Sequence, residues 1–142
     1  DLILIKQTIH LFEFNKIRGL LTKMRKSLSP NGKIMILTLS PNKNEIPCFK
    51  LMKVKLFKSL KRDKKILYLI SKLYPKRILK KFSYKVEVTK KKYTDMISKR
   101  FISILLRFND KQIVTGIKEI NLKYKKKLKF TDKLVCIIVK NN

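Results

Sequence analysis

Asp1-Leu2-Ile3-Leu4-Ile5 and, further on, Leu28-Ser29-Pro30-Asn31-Gly32-Lys33-Ile34-Met35-Ile36-Leu37-Thr38-Leu39 are the two stretches whose reading decides the fold. The first is a continuous apolar run rich in β-branched residues, which suits a parallel strand buried on both faces. Between them, apolar residues fall at Ile17, Leu20 and Leu21, Met24 and Leu28, the three-and-four spacing of a helix with one buried stripe. Asn15 is the expected N-cap of that helix, and Arg25 and Lys26 sit in its last turns, where positive charge complements the helix dipole. Pro30 disfavours helical geometry in the residue before it, and Asn31-Gly32 accepts positive φ, so the helix stops there. Residues 33–39 follow as a second buried strand. Strand, crossover helix and strand form one βαβ unit, whose connection is expected to be right-handed.

Working outward, Pro41 and Pro47 bracket a loop, and residues 49–60 and 63–73 read as two helical pieces. Phe49, Met52, Leu56 and Leu60 form the stripe of the first, and Ile66, Ile70 and Leu73 that of the second. Tyr74-Pro75 breaks the pattern. Tyr84, Val86 and Val88 alternate with Lys85 and Glu87, so residues 82–89 should be a strand with one wetter face. Tyr93, Met96, Ile97, Phe101, Ile104, Leu105 and Phe108 return to helical spacing. A second helix follows through Ile113, Ile117, Ile120 and Tyr124, capped by Asp110, which makes a helical hairpin. Residues 134–139 end the chain as a last buried strand. The expectation is a single α/β domain over residues 1–142. It comprises a βαβ core at 1–40, a helical region at 41–81, and a strand, a hairpin and a strand at 82–142. Its sheet is the trailing half of an open one, with the closing strands at one edge.

The chain has 142 residues and a formal net charge of +28. A field of that sign attracts polyanions whatever the fold. Of the 37 basic residues only six are Arg, at positions 18, 25, 62, 77, 100 and 107, which leaves 31 Lys. Phosphate recognition favours the planar fork of Arg, whereas surplus Lys beside many Ile and Asn reads as solvated surface in an AT-rich coding sequence. Cys48 and Cys136 show no metal-ligand spacing, and Cys136 lies within an apolar run, so a packed thiol in a reduced, cytosolic protein is expected. No apolar stretch approaches the roughly 20 residues of a membrane span. The chain opens on Asp1, directly before an apolar run, as a truncated gene would.

Residues 1–39 resemble the fourth strand, following helix and fifth strand of class I S-adenosylmethionine-dependent methyltransferases. The resemblance lies in the Asp that opens an apolar strand, the polar turn Lys6-Gln7-Thr8, the segment Ile9-His10-Leu11 and the Leu28-Ser29-Pro30-Asn31-Gly32 turn. The second half, through Tyr93, Met96, Ile97, Arg100, Phe101, Ser103, Leu105, Phe108, Asp110, Gly116, Ile117, Glu119 and Ile120, is similar to a subgroup related to trans-aconitate methyltransferases, which inserts a helical pair between its last two strands. The resemblance implies the C-terminal half of a Rossmann-like sheet with a helical-hairpin insertion before the last strand. One departure matters. Class I enzymes hold the cofactor through a Gly-rich loop and an acidic residue, and here the glycines are Gly19, Gly32 and Gly116, none in such a loop. A truncation before Asp1 is expected on that ground, and the fragment should bind S-adenosylmethionine weakly or not at all and be inactive alone.

Ligands of open α/β sheets lie beyond the carboxyl ends of the strands, which points to Lys6, Gln7, Thr8 and His10 after the first strand and residues 40–44 after the second. By the resemblance, Lys6 and Gln7 border the methionine end of the cofactor; otherwise they form a plain polar turn. His10, the only histidine, orients a small-molecule acceptor or takes its proton, or else is a packed residue at a helix start; a free imidazole titrates near 6.5. Arg100 on an apolar helix face requires a carboxylate, either Asp95, Asp110 or Glu119 in the chain or an acidic substrate. Tyr93 lines the same substrate cavity, or else is core with its hydroxyl at the surface.

The alternative function is a Lys-rich nucleic-acid-binding module using Lys53, Lys55, Lys58, Lys61 and Arg62 or residues 123–129. Against it stand the lack of a zinc ligand set and of an aromatic RNA-recognition motif, so no specific nucleic acid is expected. Membrane attachment through residues 49–61 is weighed against an ordinary core-facing helix, and no membrane partner is expected. A lone His without a recognisable nucleophile or acidic partner argues against a hydrolase, and no clustered His, Cys or carboxylate set argues for a metal. The oligomeric state is left open.

Overall fold

A computed structural model describes residues 1–42 and 44–141. The elements run β1 (Leu2–Lys6), a 3-10 turn (Ile9–Leu11), α1 (Phe14–Lys26), β2 (Lys33–Leu39), α2 (Lys50–Leu73), β3 (Ile78–Thr89), α3 (Lys90–Ser98), a second 3-10 turn (Ser103–Arg107), α4 (Asp110–Lys123) and β4 (Lys127–Lys140). The fold is α/β, with a four-stranded mixed sheet in the order β1-β2-β4-β3. β1 pairs parallel with β2, from Leu2 opposite Lys33 to Lys6 opposite Leu37, so the βαβ pairing is as the apolar runs lead one to expect. β4 pairs antiparallel on the other edge of β2, from Lys33 opposite Lys140 to Leu39 opposite Leu134.

The chain forms two compact units, one of residues 1–43, 61–83 and 133–142 and one of residues 44–60 and 84–132. In the first, Ile5, Ile34, Ile36, Val135, Ile137 and Val139 present one sheet face to Ile17 and Leu21 of α1 and to Ile66 and Ile70 of α2. β1 is not buried on both faces as expected: Leu2 and Leu4 are 56% and 53% exposed, since α1 and α2 both pack on the Ile5 side. Glu13, not Asn15, is the N-cap residue of α1, and its side chain makes no capping bond. The turn after α1 is held from two sides. The Asp1 carboxylate accepts from the Ser29 hydroxyl at 2.9 Å and from its backbone N–H at 3.2 Å. The Asn141 amide donates to the Leu28 carbonyl at 3.0 Å. Gly32 is required here because a Cβ would stand 2.1 Å from an Asp1 carboxylate oxygen.

The two helical pieces expected at 49–60 and 63–73 are one helix, α2. It carries Met52 into the second core cluster and Ile66 and Ile70 into the first. Its stripe runs on through Asp63, a buried carboxylate among basic neighbours. The Glu119 carboxylate accepts from the Lys50 N–H at 2.8 Å, satisfying one of the four donors that a helix start leaves open.

In the second unit α3 is short. Arg100 takes φ 52°, its N–H bonds the Ile97 carbonyl at 3.0 Å and the Phe101 N–H bonds that of Met96 at 2.9 Å. That is a Schellman motif with Arg where Gly is usual. The expected stripe through Phe101 is therefore broken, and Phe101 is 78% exposed. Asn109, not Asp110, caps α4, in a reciprocal box with Gln112. α4 brings Gly116 against the Phe49 ring, and Phe49 meets Phe108 edge to face at 5.4 Å. β3 begins earlier than expected, at Ile78, and only Val86 and Val88 along it are half-buried.

A Cβ at Gly116 would lie 2.6 Å from the Phe49 ring, whereas one at Gly19, on the open side of α1, would meet nothing within 4 Å. Gly116→Ala is expected to destabilise by about 1–3 kcal/mol through overpacking. Gly19→Ala should stabilise by about 0.5–1 kcal/mol through helix propensity. Urea denaturation of the two variants checks the opposite signs.

Candidate functional site

At the carboxyl end of β1 the backbone turns out of the sheet. Gln7 adopts φ 51°, yet its N–H still donates to the Leu37 carbonyl at 2.7 Å, so the β1–β2 ladder carries one residue past Lys6 before the chain leaves it. Lys6, Gln7 and Thr8 are exposed, Ile9 is buried, and His10 is half-buried in the 3-10 turn that follows. Ile9 anchors the turn in the core beside Ile5 and Ile17. The Arg62 guanidinium donates to the Phe12 carbonyl, tying the segment's far end to α2. The result is a polar segment with three exposed side chains and one imidazole within five residues, supported on a rigid strand end. Beyond β2, the Ser40 N–H donates to the Lys133 carbonyl at 2.8 Å and its hydroxyl reaches the Asn42 carbonyl at 3.3 Å. Of the loop at 40–44, Lys43 lies outside the described residues.

Lys6, Gln7 and His10 thus stand together in the first unit. Tyr93 and Arg100 belong to the second, and each has an internal partner. Tyr93 is fully buried and its hydroxyl donates to the Pro47 carbonyl at 2.5 Å, so the hydroxyl is inside the core and not at the surface. Burial holds its phenol protonated, far above the ordinary range. Arg100 bonds the Asp110 carboxylate at 2.5 Å and the Phe108 carbonyl at 3.4 Å. Its partner is the internal one, and Glu119, a candidate by sequence, is engaged at the start of α2.

Both cysteines are free of disulfide. Burial pushes the Cys48 thiol up from an ordinary 9.0 to about 11, opposed in part by Lys123 and Lys53. A group so protonated is a poor nucleophile at neutral pH. Among the described residues no group of three or more His, Cys, Asp or Glu is arranged to hold a metal ion. No helix among them is long and apolar enough to cross a membrane. In comparison with known proteins, no family model matches the chain and no curated protein matches it in sequence.

Tyr93→Phe would leave the Pro47 carbonyl buried without its donor, and a loss of about 1–3 kcal/mol in unfolding free energy is expected. Chemical denaturation measures it. A shift from 9.0 to about 11 also lowers the thiolate fraction at pH 8, by roughly 100-fold. Native Cys48 should therefore be alkylated by iodoacetamide at least that much more slowly than free cysteine, with a rate still climbing at pH 10. Mass spectrometry of timed aliquots would reveal rapid labelling if the thiol were activated instead.

Proposed function

We propose that this chain supplies the acceptor-side part of a class I S-adenosylmethionine-dependent methyltransferase acting on a small molecule. The observation that carries the reading is strand order. A parallel β1–β2 pair linked through α1 is followed by a last strand, β4, inserted antiparallel between β2 and β3. The class I methyltransferase sheet ends with its final strand placed in this way, and purely parallel doubly wound sheets do not. A second support is position: Lys6, Gln7 and His10 emerge where ligands of open α/β sheets lie.

The residues fit such a cofactor in kind. The exposed turn 6–8 offers backbone groups and an amide side chain to the amino-acid end, with no carboxylate to repel it. When bound, S-adenosylmethionine supplies a sulfonium-activated methyl group, which asks of the protein mainly alignment. Lys6 and Gln7 border the methionine end, and His10 orients the acceptor or takes its proton. Two unbridged, protonated thiols fit a reducing cytosol.

The 142 residues contain no glycine-rich loop, so affinity for the cofactor should be weak. Titration of isotopically labelled protein with S-adenosylhomocysteine, followed by amide NMR, is expected to shift residues 6–10 and 40–42 before any others. Shifts confined to other segments would remove the assignment.

A further inference from the structure

At the opposite end of the β1–β2 pair, where Lys33 begins β2 beside Lys140, the first unit carries a cleft of about 390 Å³. It lies where α1, α2 and β4 all end. Four cations line it, Arg25, Lys76, Arg77 and Lys140, and among the described residues no carboxylate does. An adjoining groove of about 400 Å³ shares Arg25 and Tyr74 and adds Lys26, again with no acid among the described residues. In a chain with six Arg against 31 Lys, two of the arginines stand in one cleft.

The two arginines are set differently. Arg25 lies over the Tyr74 ring, its guanidinium carbon 5.6 Å from the centroid of that buried aromatic. Arg77 donates to the Pro75 carbonyl at 3.2 Å and, at 3.5 Å, to that of Ser71. It thereby covers the carbonyl end of α2, whose partial negative charge would otherwise oppose an anion. Its Nε is buried without a partner, and among the described residues Arg77, Lys76 and Lys140 form no ion pair. Four like charges in one concavity repel one another and focus a positive field. A monocarboxylate would leave most of the charge of Lys76, Arg77 and Lys140 uncompensated, and a phosphate dianion with its three outward oxygens matches these three better. Leu73 and Val139 add an apolar wall.

We propose that this cleft binds a phosphate ester with an apolar body, of the size and chemistry of a nucleotide, at a place separate from the turn 6–10. The source of the phosphate is either a free nucleotide or the terminal monoester phosphate of a single strand.

Calorimetry at low salt with adenosine 5′-monophosphate should show one saturable site. Arg77→Gln and Lys140→Gln should each weaken it about tenfold or more, Arg77→Lys by less, since charge survives and the fork is lost. Lys58→Gln and Lys111→Gln, exposed lysines of the other unit, should leave it unchanged. Thermal melts confirm that each variant is folded, and Arg25→Gln is informative only if it passes that check. Inorganic phosphate should compete. A 5′-phosphorylated ten-nucleotide single strand that binds more tightly than the mononucleotide, and is weakened in parallel by Arg77→Gln, identifies the strand as the source; equal affinity identifies the free nucleotide. Non-saturating binding, or equal losses from Lys58→Gln and Arg77→Gln, would mean diffuse attraction to a polycation and would overturn the site.

Discussion

Strand β2 is paired along both edges, and the two pairings must agree on which side chains face inward. Side chains alternate with a period of two, so a slip of one residue on either edge would turn an entire apolar row toward solvent. The registers prevent that by aligning β-branched rows across three strands: Ile3, Ile34 and Val139 in one, Ile5, Ile36 and Ile137 in the next. The turn between α1 and β2 fixes where the rows start. It is gripped by the Asp1 carboxylate on one side and the Asn141 amide on the other, the first strand's beginning and the last strand's end. A side chain at position 32 would displace the first of these grips. Asp and Gly at these two positions are thus one steric arrangement rather than two independent preferences.

The sequence was legible where one signal dominated. Two continuous apolar runs, a single helical stripe between them and a Pro-Asn-Gly stop left little competition, and β1, α1 and β2 follow. It was less legible where a backbone choice overrode the pattern. The spacing from Tyr93 to Phe108 is helical throughout, yet Arg100 enters the left-handed region and ends α3, a conformation that costs a non-glycine residue about 1–2 kcal/mol. No propensity scale places an Arg there. Packing explains it, because Ile97 on one side of the break and Ile104 and Leu105 on the other all reach the same cluster. At α4, both Asn109 and Asp110 are capping types, and what decides is the distance to Gln112, whose side chain can return only to Asn109.

The site divides along similar lines. Lys6, Gln7 and His10 are legible as one group because they directly follow a strand, and the structure keeps them together in the turn after β1. Tyr93 and Arg100 carry chemistry-bearing groups, but sequence cannot say whether such groups face a ligand or a neighbour; Pro47 and Asp110 are their neighbours here. The basic cleft is not legible in the sequence because its cations come from α1, the turn after α2 and β4. The scarcity of Arg held the usable signal. The Arg62 fork reaches the Phe12 carbonyl, that of Arg77 the end of α2, that of Arg100 Asp110, and the Arg25 plane lies over Tyr74. Most lysines stand at exposed positions, Lys55 on the Arg107 carbonyl and over the Phe108 ring being an exception, whereas these arginine contacts use the guanidinium group.

The helix α2 contributes residues to both cores. Met52 lies in one cluster and Ile66 and Ile70 in the other, and the residues between them stay helical although Lys61, Arg62, Lys64 and Lys65 offer no apolar burial of their own. Asp63 is buried among them, one helical turn from Leu60 and one from Ile66, with basic neighbours on both sides along the chain. A carboxylate in that position breaks the hydrophobic stripe as read from sequence, which is why one helix reads as two. Physically it has the opposite effect, because negative charge within a strongly basic segment relieves like-charge repulsion along the helix. Helix formation is cooperative, so a polar stretch without apolar burial of its own is kept helical by the turns on either side of it. The stability of the polar middle is therefore set at its two apolar ends.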